Sequence, residues 1–400
     1  MKNITIIIFI ILVSTLSIPI HAKNAQQKEW KGKIEYENGT KIIKNPSEPL
    51  YGKIVLELEE ELILGNEVDE IFMFFKWISI DVDRNGNIYV LDRGNYRIQK
   101  FNKNGDFIQT IGREGQGPGE FSKPTFITLD EKGNIYVKDG VKAQIFDRTG
   151  QFVRSFPIPL NSNYFKITSE GNFLGERMTI RPPDDLHEGV VLMDDRSKVL
   201  KNIANFPSIT MDSMFNRKDR FAIQVPELKF CSSLKDYAVY GYPSEYRLFV
   251  VDSKGDVKII IEVDGPAEKI SSRERNKIID VLMDSIKSRK SSKQEPRNEL
   301  EKKVLIPKTR PFFDEIRMDE NGNIYTEKLK SYLSEDKSYD LDFFNDKGNY
   351  LFRLKVPSEV SNFLLIKRGY IFSAPYSQEL ECFQVKRYKI KNWDQIKEGK

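Results

Sequence analysis

The chain has 400 residues, 39% of them apolar, and carries 63 Lys and Arg against 59 Asp and Glu for a formal charge of +4. That is enough apolar material for one large core or a few ordinary ones, but near-balanced, interspersed charge gives no basis for a nucleic-acid or anionic-membrane surface. Two cysteines, Cys231 and Cys382, rule out a fold held by a disulfide framework.

The first segment is a leader. Met1-Lys2-Asn3 is a short basic lead, Ile4 to Ile20 is almost wholly apolar, and Ile20-His21-Ala22 ends on a small residue suited to cleavage. This is the build of a signal peptide over 1–22, so the protein is expected to be exported, periplasmic or secreted, with no stable membrane insertion after cleavage. Removal of His21 leaves His187 as the one histidine of the mature chain. Residues 23–52 read as a polar linker, and the folded region is expected over 53–400. KIVLELEEELILG (53–65) reads as a strand with no local partner.

DVDRNGNIYVLD (81–92) scores against the calcium-loop template, with Asp81, Asp83 and Asn85 at alternate ligand positions and Gly86 at the turn. Its flanks have period-two apolar spacing, however, and Asn-Gly favours a type I′ hairpin, so strand, turn, strand is expected and the calcium template is coincidental. The unit recurs as ITLDEKGNIYVKD (127–139), IRMDENGNIYTEK (316–328) and, more weakly, KITSEGNFLGE (166–176). Second hairpins follow around Gly105, Gly150, Gly255 and Gly348. Four antiparallel strands repeating at about 40–50 residues are the signature of a β-propeller blade.

The blades fall at about 77–112, 125–157, 164–206, 228–263 and 312–356, with three further strands over 363–391. The strand at 53–65 supplies the missing fourth, giving an all-β, six-bladed β-propeller closed by its N-terminal strand. A helical insertion over 265–311 precedes blade five. Ser271 and Glu274 form a capping-box pattern, Ile278, Ile279, Leu282, Met283 and Ile286 form an apolar stripe, and Pro296 suits the first turn of a second helix. A helix packed on the rim is the expected role, with a lid as the alternative.

GQGPGEFSKPTFITLDEKGNIYVKDGVKAQIFDRTGQFV (115–153) resembles an NHL repeat, and YVLDRGNYRIQKFNKNGDFIQTIG (89–112) matches the second half of that pattern. KNPSEPLYG (44–52) and the helical insertion are similar to those of exported bacterial six-bladed propellers of the NHL type. The resemblance implies a fold and a mode of action, since NHL-type propellers include binding modules and related rings include lyases and lactonases. NHL-type amidating lyases use histidine ligands for zinc, which His187 alone cannot supply. Lactonase-type sites hold Ca²⁺ with Glu, Asn and Asp, but no positions here match such a family residue by residue.

The hairpin turns are tight, whereas the connections at 112–124, 175–189, 206–227, 240–246 and 327–338 are long. The two classes leave opposite ends of an up-and-down blade, so all elaboration falls on one face, where repeat folds build binding surfaces. Arg93, Tyr96, Arg177, Arg181, His187, Tyr242, Tyr246, Tyr332 and Tyr376 are the ligand-binding candidates on that face, because Tyr and Arg offer large contact area with a polar handle. Asp92, Asn95 and Arg97 read as turn-capping residues, Asp184-Asp185 beside His187 as solvated charge, and the glycines of GREGQGPGEF as a crossover between blades. The expected function is a binding or interaction module taking a protein or extended ligand and no nucleic acid, with no metal or cofactor expected and no catalytic residue assigned. The alternative is a metal-dependent hydrolase or lyase with axial Ca²⁺.

Overall fold

The computed structural model describes residues 29–65, 72–159, 164–181, 185–208, 221–232, 237–288, 296–360 and 362–397. The leader at 1–22 lies outside them. Six antiparallel sheets form a closed ring. Blade one runs Ile78–Val82, Ile88–Asp92, Arg97–Phe101 and Phe107–Ile111 from axis to rim, and the next four blades repeat that order. Blade six takes Phe363–Lys367, Tyr370–Ser373 and Val385–Ile390 from the C-terminal end and Leu58–Leu64 from the N-terminal end, the last pairing antiparallel with Val385–Ile390. The closure expected of 53–65 is therefore present. The core is divided among the gaps between neighbouring blades, and Leu64, Phe74, Ile78, Ile80 and Val385 fill the gap between blades six and one.

Residues 33–45 are not the linker they resemble. Lys33–Glu37 and Thr40–Asn45 form a hairpin, and Thr40–Asn45 adds parallel to Val257–Val263 at the rim of blade four. Lys53–Val55 then adds parallel to the outer strand of blade five. The N-terminal run thus straps blades four, five and six in order. Asn45, fully buried, fastens it: its Nδ2 donates to the carbonyls of Glu262 (3.1 Å) and Gly348 (3.0 Å), and its Oδ1 accepts from Tyr350 N (2.8 Å) and Trp30 Nε1 (3.1 Å). The polar composition hid these strands because a rim strand has little to bury.

The repeated hairpin turn differs from the type I′ form. Gly86 N donates to Asp83 O at 3.0 Å and only Gly86 has positive φ, at 84°. This is a type I turn followed by a glycine bulge. Asp83 holds it, accepting from the amides of Asn85 (2.8 Å) and Asn87 (2.9 Å) and from Asn87 Nδ2 (2.8 Å). Asp130 with Asn134 and Tyr136, and Asp319 with Asn323 and Tyr325, repeat the arrangement. These aspartates resemble calcium ligands because both roles need a short carboxylate over a tight glycine turn. A true type I′ turn does occur, at Asn38-Gly39, where both residues have positive φ.

In the insertion, α1 (Ser272–Lys287) is capped by Ser271, whose Oγ accepts from Glu274 N at 3.2 Å. The Glu274 carboxylate does not turn back on the cap as a capping box requires. It takes both bonds of the buried Arg310 Nη2 (2.8 and 2.9 Å) and accepts from Tyr332 N (2.9 Å). Ile278 and Ile279 are buried beneath α1. Pro296 caps α2 (Arg297–Lys303) from just outside its first turn. The insertion is thus docked, through Tyr332, on the 327–338 connection of the elaborated face. Burial alone would raise the Glu274 pKa, but Ser331, Arg310 and the Tyr332 amide hold it below the usual glutamate range. Its stabilisation is therefore full above that range and lost as pH falls through the depressed value. Glu274→Gln should cost about 3 kcal/mol at neutral pH and flatten the acid limb of hydrogen-exchange protection in α1 measured against pH.

Candidate functional site

The innermost strands of blades one, two, four, five and six, with Tyr164 and Glu176 of blade three, line a cavity on the ring axis of about 680 Å³. Each inner strand begins at the face carrying the long connections and ends at the tight turns, so the two ends of the cavity can be told apart from chain direction. Arg93, Tyr164, Glu176, Glu227, Lys229 and Glu315 lie toward the elaborated face. Asp81 and Lys367 lie toward the other, where they form a buried ion pair joining blades one and six. Asp81 also accepts Leu129 N at 2.9 Å, tying blade one to blade two.

The mouth carries a mixed set of charges. Arg93 Nε donates to Pro124 O at 3.1 Å, which fixes its guanidinium over the gap between blades one and two. Lys229 Nζ stands 3.8 Å from Glu227 and 3.7 Å from Asp314. Burial opposes its charge, but Glu315, Asp314, Glu227 and Glu176 outweigh that and raise its pKa. Burial pushes the Glu315 carboxyl up despite Arg317 and Lys229. Arg317 donates to Glu327 Oε2 at 2.9 Å and is held charged by Glu327 and Glu315. Lys138, behind Glu176 and near Arg93, is lowered chiefly by burial. Cys231 lines the wall as a free thiol, with burial raising its pKa to about 12, and Cys382 is likewise unpaired. A thiol so raised is unreactive at neutral pH.

Carboxylates therefore converge on the axis, but they face Lys229 and Arg317. Among the described residues no three His, Cys, Asp or Glu side chains are grouped to hold a metal ion.

The sequence-derived candidates separate. Arg93 reaches the cavity. Tyr96, with φ of 54°, turns its ring against the core between blades one and two, under Lys76 Nζ at 5.7 Å. The connection at 175–189 is largely a long hairpin, Phe173–Arg181 against Asp185–Met193, so Arg177 and His187 sit on strands opposite Gly189 and Thr179, half-buried, rather than on a loop. Arg181 pairs with Asp185 at its tip, and 182–184 lie outside the described residues, as do 209–220 of the next long connection. Tyr242 stacks on Phe206 at 4.7 Å and donates to Pro207 O. Tyr332 packs beside the insertion through its amide bond to Glu274, and Tyr376 is exposed against Phe383. Tyr246 is not a surface residue. It is 7% exposed and donates to Asp342 Oδ2 at 2.7 Å inside the blade four–five core. Asp92 accepts from Asn95 Nδ2 (2.8 Å) and Arg97 Nε (3.1 Å), as a turn-capping role requires. Of the missed residues, Glu227, Lys229, Glu315 and Arg317 sit on or just before the inner strands of blades four and five, and Glu176 on the second strand of blade three. The signal of the first four is a charged residue placed where an otherwise apolar inner strand meets the axis.

The architecture and site define the class: a six-bladed β-propeller with an axial cavity opening toward its elaborated face. Residues 76–265 match the family model described as "6-bladed beta-propeller". No curated protein matches the chain by sequence. Among solved structures, a Bacteroides fragilis NCTC 9343 protein whose export is an inference is similar with a TM-score of 0.53 at 14% identity, covering 88% of this chain and 99% of that one. A member of the duf4221 family from Bacteroides vulgatus ATCC 8482 gives 0.46 at 15% identity over 84% and 98%. Virginiamycin B lyase from Staphylococcus aureus gives 0.41 at 11% identity over 84% and 99%. These likenesses concern the fold alone. Among the described residues no helix is long and apolar enough to cross a membrane.

Proposed function

We propose that the protein is an exported binding module that takes a protein or extended ligand on its elaborated face, with part of the ligand entering the axial cavity. The observation that supports this is the cavity mouth, where blades one, three, four and five each contribute a charged side chain at the end from which the long connections emerge. Such convergence of a few polar groups on a concave site is the usual form of a ligand pocket. The leader supports export, and the Bacteroides fragilis protein of the same fold carries the same inference.

The test is affinity capture from the exported fraction with the purified protein as bait. Arg93→Glu should reduce retention of the captured species about tenfold, the effect of one lost charge contact of roughly 1.4 kcal/mol. Lys132→Glu, on the tight-turn face, should leave it unchanged. Equal retention by both variants, or loss only with Lys132→Glu, would place the binding surface elsewhere.

A further inference from the structure

The outermost strand of blade four is a self-complementary edge. Lys33–Glu37 is exposed at every position, and Ile34 and Tyr36 are 48% and 71% exposed. Other rim strands give side chains to the gaps between blades, as Ile111 and Phe152 do, but this one gives none to any core cluster. Its inner side pairs with Thr40–Asn45 in a register closed by Glu37 opposite Thr40 across the two-residue Asn38-Gly39 turn. In such a hairpin Glu37, Glu35 and Lys33 spend their backbone groups inward, leaving those of Ile34 and Tyr36 on the open edge.

We infer that this edge pairs antiparallel with the same strand of a second copy, about a two-fold axis through Glu35. The sequence KIEYE selects that register. Ile34 of each copy then opposes Tyr36 of the other, and these are the residues with outward-pointing backbone groups, so each pair exchanges both of its hydrogen bonds. Their side chains share one face, giving two apolar cross-strand contacts. On the opposite face Lys33 meets Glu37 of the second copy, twice. The two Glu35 side chains meet at the centre, and each is already paired to its own Lys44 at 2.7 Å. Shifting the register by one residue would leave every outward amide opposite an inward-bonded residue. A two-residue shift would break both Lys–Glu pairs. The six strands of blade four would become a continuous twelve-stranded sheet, and the unpaired edge would be covered. A contact of this size makes a reversible dimer, weakened by salt because its ion pairs are exposed.

The inference is independent of the axial site and is tested on the full mature chain by sedimentation over a concentration series. The wild type should show a monomer–dimer equilibrium. Glu37→Lys should raise the dimer Kd about tenfold or more, since two attractive pairs become two repulsive ones. Lys33→Glu combined with Glu37→Lys should restore it by reversing the charges in the same register. Ile34→Pro removes an outward amide that no bond among the described residues uses, and should abolish the dimer without lowering the melting temperature. A wild type that stays monomeric at its highest soluble concentration would overturn the inference. So would a dimer indifferent to Ile34→Pro, or a charge reversal that fails to restore association.

Discussion

Deletion of residues 53–65 is expected to leave the ring open and the product insoluble. Leu58–Leu64 is the outer strand of blade six, paired over its length with Val385–Ile390, and its removal leaves that strand as a bare edge. The deletion also takes Leu64 from the gap between blades six and one, and Leu56, which is 1% exposed, from the gap between five and six. Each lost leucine costs about 2–5 kcal/mol, before any ladder bond is counted. A total of that size approaches the whole stability of a typical domain, roughly 5–15 kcal/mol. Soluble yield and a melting curve are the measurements. A truncated protein that stayed soluble and melted as the wild type does would show that closure does not depend on this strand.

The second large effect is expected at Asp342. The residue is fully buried on blade five and accepts from Tyr246 OH at 2.7 Å, from Tyr350 OH, and from Arg353 Nε at 2.7 Å. Removing the carboxylate by Asp342→Ala strands a largely buried guanidinium and two phenols, a loss of about 3–5 kcal/mol. Tyr246→Phe removes one donor and should cost only about 1 kcal/mol. Denaturant unfolding at constant m-value measures both. Unequal effects in this order mark Tyr246 as part of a structural network linking blades four and five. If Tyr246→Phe altered ligand capture while leaving stability untouched, the residue would belong to the binding surface after all.

The dependence on Asp342 shows where reading the sequence reached its limit. Tyr246 lies in YGYPSEY, a short stretch rich in turn residues that resembles an exposed loop. Nothing local shows that Asp342, 96 residues later, comes to meet its hydroxyl. The same holds for Arg177 and His187. Pro182-Pro183 reads as a loop, whereas the flanking residues extend the hairpin down to the pair Arg181 and Asp185. Arg93 lines the axial cavity because a residue just past the second strand of a blade must emerge at the elaborated face.

What the sequence by itself determined is the repeating unit. An Asp, a Gly three residues on and an Asn after it specify a turn whose bonds are all local, as at Asp83, Asp130 and Asp319, and alternating apolar residues on either side specify strands. Blade number and closure followed from counting those units. The tertiary structure alone decided which charges meet at the axis, that residues 33–45 strap the rim, and that Glu274 turns from its helix cap to Arg310. Those features depend on contacts between residues tens to hundreds of positions apart. A side chain's own neighbours along the chain carry no record of them, whereas a turn or a strand is written in the few residues that form it.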